Sequence, residues 1–292
     1  MVSTENFPSI QLSTGGAIPL LAYGLGTANF KSGSTDVDKS IIADTKTAIL
    51  AGFTHLDGAE NYGNEEELGI AIKESGVLRS KLFVTTKVYR SISSPKTALA
   101  VSLKKLDIEY VDLYLIHAPF WDEQEKGISI EKAWQEMEEL HGKGLAKAIG
   151  VSNFGISEFE RIAKIAKIQP AINQIEYNAY LQSPELMEYH HRHGIATAAY
   201  GPLIPITKGT PGPLDTIIEE LAKKYSKTPT QILLRWAIET GVVAITTSSK
   251  EWRMKEALGV GEFKLDESDV EDIRKAGSKK HMRIFWTKNY RD

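Results

Sequence analysis

Residues 52–69 read GFTHLDGAENYGNEEELG and set an acid, Asp57, five residues before a phenol, Tyr62. Phe53 to Leu56 have the apolar character of a buried strand that delivers Asp57 to its C-terminal tip, and Tyr62 falls in the following loop. Asn64 and Glu67 have the spacing of a capping box opening the next helix. The acidic run 65–67 reads as negative charge complementing that helix's N-terminus. The local order is strand, loop with ionisable groups, helix. Two more strand tips carry matching chemistry, Lys87 at the end of LFVTTK and His117 at the end of VDLYLIH. The bland alternatives are an ordinary buried ion pair for Asp57 and Lys87 and a satisfied core histidine for His117. Four ionisable groups at strand ends outweigh them, because perturbed groups cluster at functional sites.

The same alternation extends along the chain. Strand-like runs recur as LAYGLGT near 21, FTHLD near 53, LFVTTK at 82, VDLYLIH at 111, AKAIGVSN at 146, AINQIEY at 171, IATAAYG at 195 and VVAITT at 242. Between them lie segments of helical spacing, such as EKAWQEMEELHGKG with Gly142 and Gly144 as stop signals, or SEFERIAKIAK before Pro170. Strands alternating with helices imply parallel pairing, and eight such units match a closed α/β (β/α)8 barrel whose site lies at the C-terminal strand ends. The whole of 1–292 reads as one barrel domain. FPSIQLSTGGAIPLL, around Gly15-Gly16, is expected to be a hairpin closing the barrel bottom. PLIPITKGTPGP, 202–213, is too rich in Pro and Gly for an element and reads as a mobile active-site loop. The tail HMRIFWTKNYRD is expected to fold over the mouth.

Composition bounds the partners. A formal charge of -3 argues against a nucleic-acid footprint, which needs clustered Lys and Arg. The absence of cysteine excludes disulfides and thiolate chemistry, and no long apolar run marks a membrane span. The expectation is a cytoplasmic protein, a monomer or weak homodimer, with a small-molecule partner.

With Asp57, Tyr62, Lys87 and His117 assembled, the chain resembles the aldo-keto reductase superfamily over essentially its whole length. The motifs that carry the resemblance are GLGT (24–27), HLDGAENYGNEEELG (55–69), the Lys87 strand, GVSNF (150–154), NQIEYN (173–178) and ITTSSKEWRMKEA from 245. A carbonyl that accepts hydride needs a proton donor aimed at its developing oxyanion, and Tyr62 is the expected donor. Lys87 is the cation that makes the phenol a usable acid, Asp57 keeps that lysine charged, and His117 positions the carbonyl oxygen.

The resemblance implies NADPH, and no Rossmann glycine turn follows the first strand. It implies that Ser152, Asn153 and Gln174 hold the nicotinamide carboxamide, that Tyr200 stacks on the ring, and that Gly26, Thr27, Asp57, Gly201 and Leu203 add contacts. Taken alone, Tyr200 reads as core and Ser152-Asn153 as a helix cap. At the adenosine 2'-phosphate end, Thr247 stands where the family has lysine. Ser248 and Arg253 remain there, Ser249 is expected as a further cofactor contact, and Lys250 is either a replacement charge or an ordinary surface lysine. On the substrate side Ala28 and Ala118 replace tryptophans common in aldose reductases. Tyr89, Phe120, Trp121 and the tail residues Phe285 and Trp286 supply aromatic surface, so the substrate contacts are expected at Ala28, Tyr62, Tyr89, His117, Phe120 and Trp121. This pattern is most similar to fungal reductases of conjugated polyketones and ketopantoyl lactone, which act on vicinal dicarbonyls; a general aldose or aldehyde reductase is the alternative.

His190, His191 and His193 point around one helix and read as a solvated helix end, so no metal is expected. A slow-turnover cofactor sensor and a metal-dependent barrel isomerase or hydrolase are the competing classes.

Overall fold

The computed structural model describes residues 7–31 and 36–290, and the eight strand-like runs of the sequence are eight parallel strands closed on one another. An antiparallel hairpin, β1 (Ser9–Gln11) and β2 (Ala17–Pro19), precedes them. The barrel strands are β3 (Leu21–Gly24), β4 (His55–Asp57), β5 (Phe83–Val88), β6 (Val111–Ile116), β7 (Ala146–Ser152), β8 (Ile172–Glu176), β9 (Ala196–Tyr200) and β10 (Val242–Thr246). They pair in chain order, and β10 returns to β3 with Ala244 opposite Leu21. The hairpin lies at the N-terminal end of the barrel: a Cβ on Gly15, at φ +85°, would meet Lys147 O at the start of β7 at 2.9 Å.

Twelve helices surround the strands: α1 (Lys39–Ala51), α2 (Glu65–Ser75), α3 (Pro95–Leu106), α4 (Glu123–Lys126), α5 (Ile130–Gly142), α6 (Ile156–Ala163), α7 (Pro184–His193), α8 (Ile204–Thr207), α9 (Asp215–Tyr225), α10 (Pro229–Glu239), α11 (Glu251–Leu258) and α12 (Glu267–Gly277), counted among the described residues. Local chemistry explains their starts. Ser94 accepts the Thr97 amide ahead of Pro95, Ser129 accepts that of Lys132, and Thr228 with Gln231 forms a reciprocal capping box. On α5 the buried Ile130, Ala133, Trp134, Met137 and Leu140 recur at helical spacing and form one apolar stripe. All of β5 is buried, because its two faces meet barrel interior and helix layer, so its sequence does not alternate. Among the described residues no helix is long and apolar enough to cross a membrane.

Several local expectations are corrected. The strand that carries Asp57 begins at His55 and includes Asp57 itself. Asn64 and Glu67 form no capping box. The Asn64 amide donates to Leu25 O and Asn29 O at 2.9 and 2.7 Å, and Glu67 accepts from Lys31 Nζ and the Asp38 amide. Both residues are fully buried, so they bind the loop packed on them rather than their own helix end. The acidic run occupies the first turn of α2, as its charge suggests, and Glu66 is exposed, but Glu65 is buried, accepts the Thr86 hydroxyl at 2.6 Å, and burial pushes its carboxyl up. The segment 202–213 contains the helical turn α8, and Lys280 Nζ binds its Gly209 and Pro211 carbonyls. His190 is buried between Thr197 Oγ1 and the Asn173 amide, at 2.9 and 3.1 Å, while His191 and His193 are exposed. Among the described residues no group of three or more His, Asp or Glu is placed to hold a metal ion.

Burial holds His190 at a pKa of about 4, and burial, opposed by Asp57, does the same for His55. Both folded values lie below the unfolded one. Between about pH 6.5 and 4 the unfolded chain therefore binds more protons, and these two sites destabilise the fold as pH falls through that window. In imidazole nitrogen NMR spectra both rings should stay neutral at about pH 5.5. A ring that charges in the folded protein near its ordinary value contradicts the assignment.

Candidate active site

Asp57 ends β4, Lys87 lies in β5, His117 follows β6, and Tyr62 closes a 3-10 turn, Glu60–Tyr62. Adjacent parallel strands bring them to one rim. Lys87 Nζ lies 2.6 Å from Asp57 Oδ1, 2.8 Å from Gly58 O and 3.2 Å from Tyr62 Oη, which uses all three of its donors. The second Asp57 oxygen accepts Gln174 Nε2 from across the barrel at 2.7 Å. The Tyr62 and His117 rings meet edge to face, centroids 5.4 Å apart. A Cβ on Gly26 would sit 3.1 Å from Tyr62 Cζ, so the GLGT turn approaches the phenol closely because it carries no side chain there.

Protonation follows from burial and these neighbours. Burial is the largest effect on Lys87 and alone would discharge it, but the Asp57 carboxylate and Tyr62 together outweigh it and hold the ammonium's pKa above the ordinary value. Burial raises the Tyr62 phenol; Lys87 pulls it down but does not reverse the shift. In the resting site the phenol therefore remains protonated, and the expected lowering by Lys87 is outweighed. Burial, then the Lys87 charge, push His117 well below the usual range, so its ring is neutral and has one N–H to give. His117 Nδ1 is buried without a protein partner.

The expected nicotinamide residues form a bonded set beside the tetrad. The Ser152 hydroxyl donates to Gln174 O at 2.7 Å. The Asn153 amide donates to His117 O and Ser152 Oγ, both at 2.9 Å, and the Tyr200 hydroxyl donates to Asn153 Oδ1 at 2.6 Å. Thr27 and Ala28 are exposed on the turn that Asn64 holds. At the opposite end of the rim a cleft of about 360 Å³ is lined by Leu203, Thr247, Ser248 and Arg253, and also by Ile206, Thr207 and Trp252. Thr247 Oγ1 is buried there without a partner. The Arg253 guanidinium lies over the Trp252 ring at 5.0 Å. Ser249 and Lys250 are exposed outside this lining, and Gly201 takes a left-handed φ of +71° just before Leu203.

The expected substrate side is aromatic. Trp286 packs against Phe120, Tyr89 and His117, with ring centroids at 5.2, 5.3 and 6.2 Å, and Tyr89 donates its hydroxyl to Phe120 O at 3.0 Å. Phe285 meets Tyr200 edge-on at 5.4 Å. The tail thus covers the mouth as far as Tyr290; Arg291 and Asp292 lie outside the described residues. Trp121 instead gives its indole N–H to Ile128 O and packs on the core. Sequence reasoning missed Phe30, whose ring lies 6.3 Å from Tyr62. It also missed Glu176, which accepts the Ile284 and Phe285 amides. The one signal for Glu176 was an acid at a strand tip, in NQIEYN.

Comparison with known proteins agrees with this geometry. Residues 22–278 match the model of the Aldo/keto reductase family. The NAD/NADP-dependent indole-3-acetaldehyde reductase of Schizosaccharomyces pombe is 44% identical, over 93% of this chain and 96% of the relative. The NADPH-dependent alpha-keto amide reductase of Saccharomyces cerevisiae is 38% identical, over 96% and 94%. The crystal structure of a Bombyx mori aldo-keto reductase in complex with NADP superposes with a TM-score of 0.82 at 35% identity, over 92% of each chain. Sequence similarity spread along the barrel and a tetrad assembled from three separate segments lead to one conclusion: the chain belongs to the aldo/keto reductase family.

Proposed function

We propose that this protein is an NADPH-dependent carbonyl reductase that converts ketones or aldehydes to alcohols, with vicinal dicarbonyl compounds as its substrate class. The observation that carries the reaction type is Lys87 Nζ seated between Asp57 Oδ1 and Tyr62 Oη, at 2.6 and 3.2 Å. The dinucleotide fits the residues present. The unpartnered Thr247 hydroxyl, with Ser248 and Arg253 around it, offers polar groups at the adenosine end. Ser152, Asn153, Gln174 and Tyr200 would hold the other end, and Gly26 leaves room beside Tyr62. Reduced nicotinamide, when bound, supplies the hydride.

The protein's own groups manage the proton. Tyr62 Oη gives its proton to the carbonyl oxygen as that oxygen gains charge, and the Lys87 ammonium stabilises the phenolate left behind. Asp57 keeps Lys87 charged, and Gln174 keeps Asp57 oriented. Neutral His117 directs an N–H at the same oxygen without competing as an acid. The aromatic wall of Trp286, Phe120 and Tyr89 favours a compact, fairly apolar carbonyl compound. The budding-yeast relative's name, an alpha-keto amide reductase, supports adjacent carbonyls. The name of the fission-yeast relative favours a second reading, an aromatic aldehyde reductase. Loss of reduced-nicotinamide absorbance with isatin, ketopantoyl lactone, an arylacetaldehyde and xylose separates these readings. Turnover confined to the aldehyde rejects the dicarbonyl class.

Three variants test the roles. Tyr62→Phe should lower kcat on the order of 10²-fold or more while NADPH titrations stay nearly unchanged; retained turnover removes Tyr62 as the acid. In the native protein Lys87 and Tyr62 both titrate above their ordinary values, so kcat/KM should stay level from about pH 6 to about pH 9. Asp57→Asn leaves burial unopposed at Lys87, lowers its pKa, and should bring the alkaline decline to lower pH; an unmoved limb rejects the ion pair's role. Arg253→Ala should weaken NADPH binding about tenfold or more and NADH binding little. Equal losses reject the 2'-phosphate assignment.

A further inference from the structure

After α12 the chain crosses the barrel mouth, and one buried carboxylate grips it there. Glu176 is the last residue of β8 and only 2% exposed. Its Oε1 accepts the Ile284 N–H at 2.7 Å and its Oε2 accepts the Phe285 N–H at 2.8 Å. Two successive amides on one carboxylate fix both the position and the direction of the backbone, and such charge-assisted bonds are roughly twice as strong as neutral ones. The next residue, Trp286, takes a left-handed φ of +57°, rare for a bulky side chain and maintained only where the surroundings enforce it. That turn aims its indole at Tyr89, Phe120 and His117, while Phe285 turns towards Tyr200. The carboxylate therefore holds the tail where it divides between the two walls of the site. Elsewhere the tail is tied by the Met282 amide to Tyr180 O and by the Tyr290 hydroxyl to Asn153 O, both at 3.1 Å. Releasing Glu176 frees the middle of the tail while these flanking bonds persist.

We propose that Glu176 is a positioning residue that sets substrate selectivity: it fixes the Ile284 and Phe285 amides and thereby the Trp286 wall, without touching substrate. This inference rests on the carbonyl-reductase reading above. Catalytic groups do not need the latch: Tyr62, Lys87 and Asp57 are held by one another, and His117, although Trp286 neighbours its ring, is held by its own amide on Val88 O and by the Asn153 amide on its carbonyl. Its loss therefore falls on the binding of large flat substrates that use the indole and spares small ones.

The test is a double-mutant cycle of Glu176→Gln and Trp286→Ala, assayed with isatin and with propanal. The glutamine keeps the volume but turns one acceptor into a donor facing a backbone N–H. Expected is a rise of about tenfold in KM for isatin with kcat nearly unchanged, and little change for propanal. In the Trp286→Ala background the same substitution should have almost no further effect on isatin. Equal losses for both substrates that add in both backgrounds overturn the proposal and leave Glu176 a structural residue. If the glutamine variant does not fold, Glu176→Asp, which keeps the charge but shortens the reach, should give the same selectivity change. Because the sequence contains no cysteine, a spin label on Lys288→Cys reads the tail without any turnover. Glu176→Gln should mobilise the label, and an unchanged spectrum overturns the latch. Wild-type protein that reduces neither substrate overturns the reductase reading instead, and the label then decides the latch by itself.

Discussion

The site depends on an ion pair placed where a protein can least easily keep one, inside the barrel. Taking Lys87 and Asp57 out of water costs several kcal/mol per ion unless the remaining hydrogen-bonding capacity is met. Here it is met: Lys87 has three acceptors, and each Asp57 oxygen has a donor. Strand register supplies the geometry. Asp57 pairs with Thr85 on the neighbouring strand, so Lys87, two residues further, lies on the same face of β5 one pleat nearer the rim. The lysine reaches back to the acid and sideways to the phenol from one anchored backbone. His117 and Asn153 take their places from the next two strands, so the barrel's closure and the site's assembly are one event.

The same physics explains which features were legible in the sequence. The eight strands were legible because fully buried parallel strands leave continuous apolar runs, and the tetrad was legible because ionisable residues stand out at the ends of such runs. Partners far along the chain leave no local trace. Asn64 and Glu67 match a capping box in spacing, yet their bonds go to Leu25, Asn29, Lys31 and Asp38, which only tertiary packing brings near. The triple-histidine stretch looked uniformly exposed because helical spacing gives no depth; α7 turns one ring of the three into the core against Thr197 and Asn173. The Pro- and Gly-rich segment 202–213 carries composition suited to a loop, but Pro205 sits at the start of a helical turn, where its missing amide hydrogen costs nothing. Trp121 follows Phe120 directly in the chain, yet consecutive side chains in a loop need not share a wall, and its indole turns to Ile128 O.

Buried and half-buried carboxylates recur as fasteners in this molecule. Glu65 ties α2 to β5, Glu67 ties α2 to the segment around Lys31, and Asp112 receives both Arg79 and the Val84 amide at the opposite, N-terminal end of the strands. Each takes donors from an element that apolar contact alone would leave free to slide. Apolar packing fills the layers, and these directional bonds fix how loops and helices are registered on them.

The seam between β10 and β3 has a consequence for how the chain reaches this state. Leu21 and Ala22 wait for Ala244 and Ile245, so during synthesis β3 keeps an unpaired edge until nearly the whole barrel has emerged. Such sequence-distant pairing makes folding slow, and an open edge is a template for the wrong partner. A nascent chain stalled before β10 would hold seven strands with two exposed margins, a species suited to chaperone capture or to aggregation.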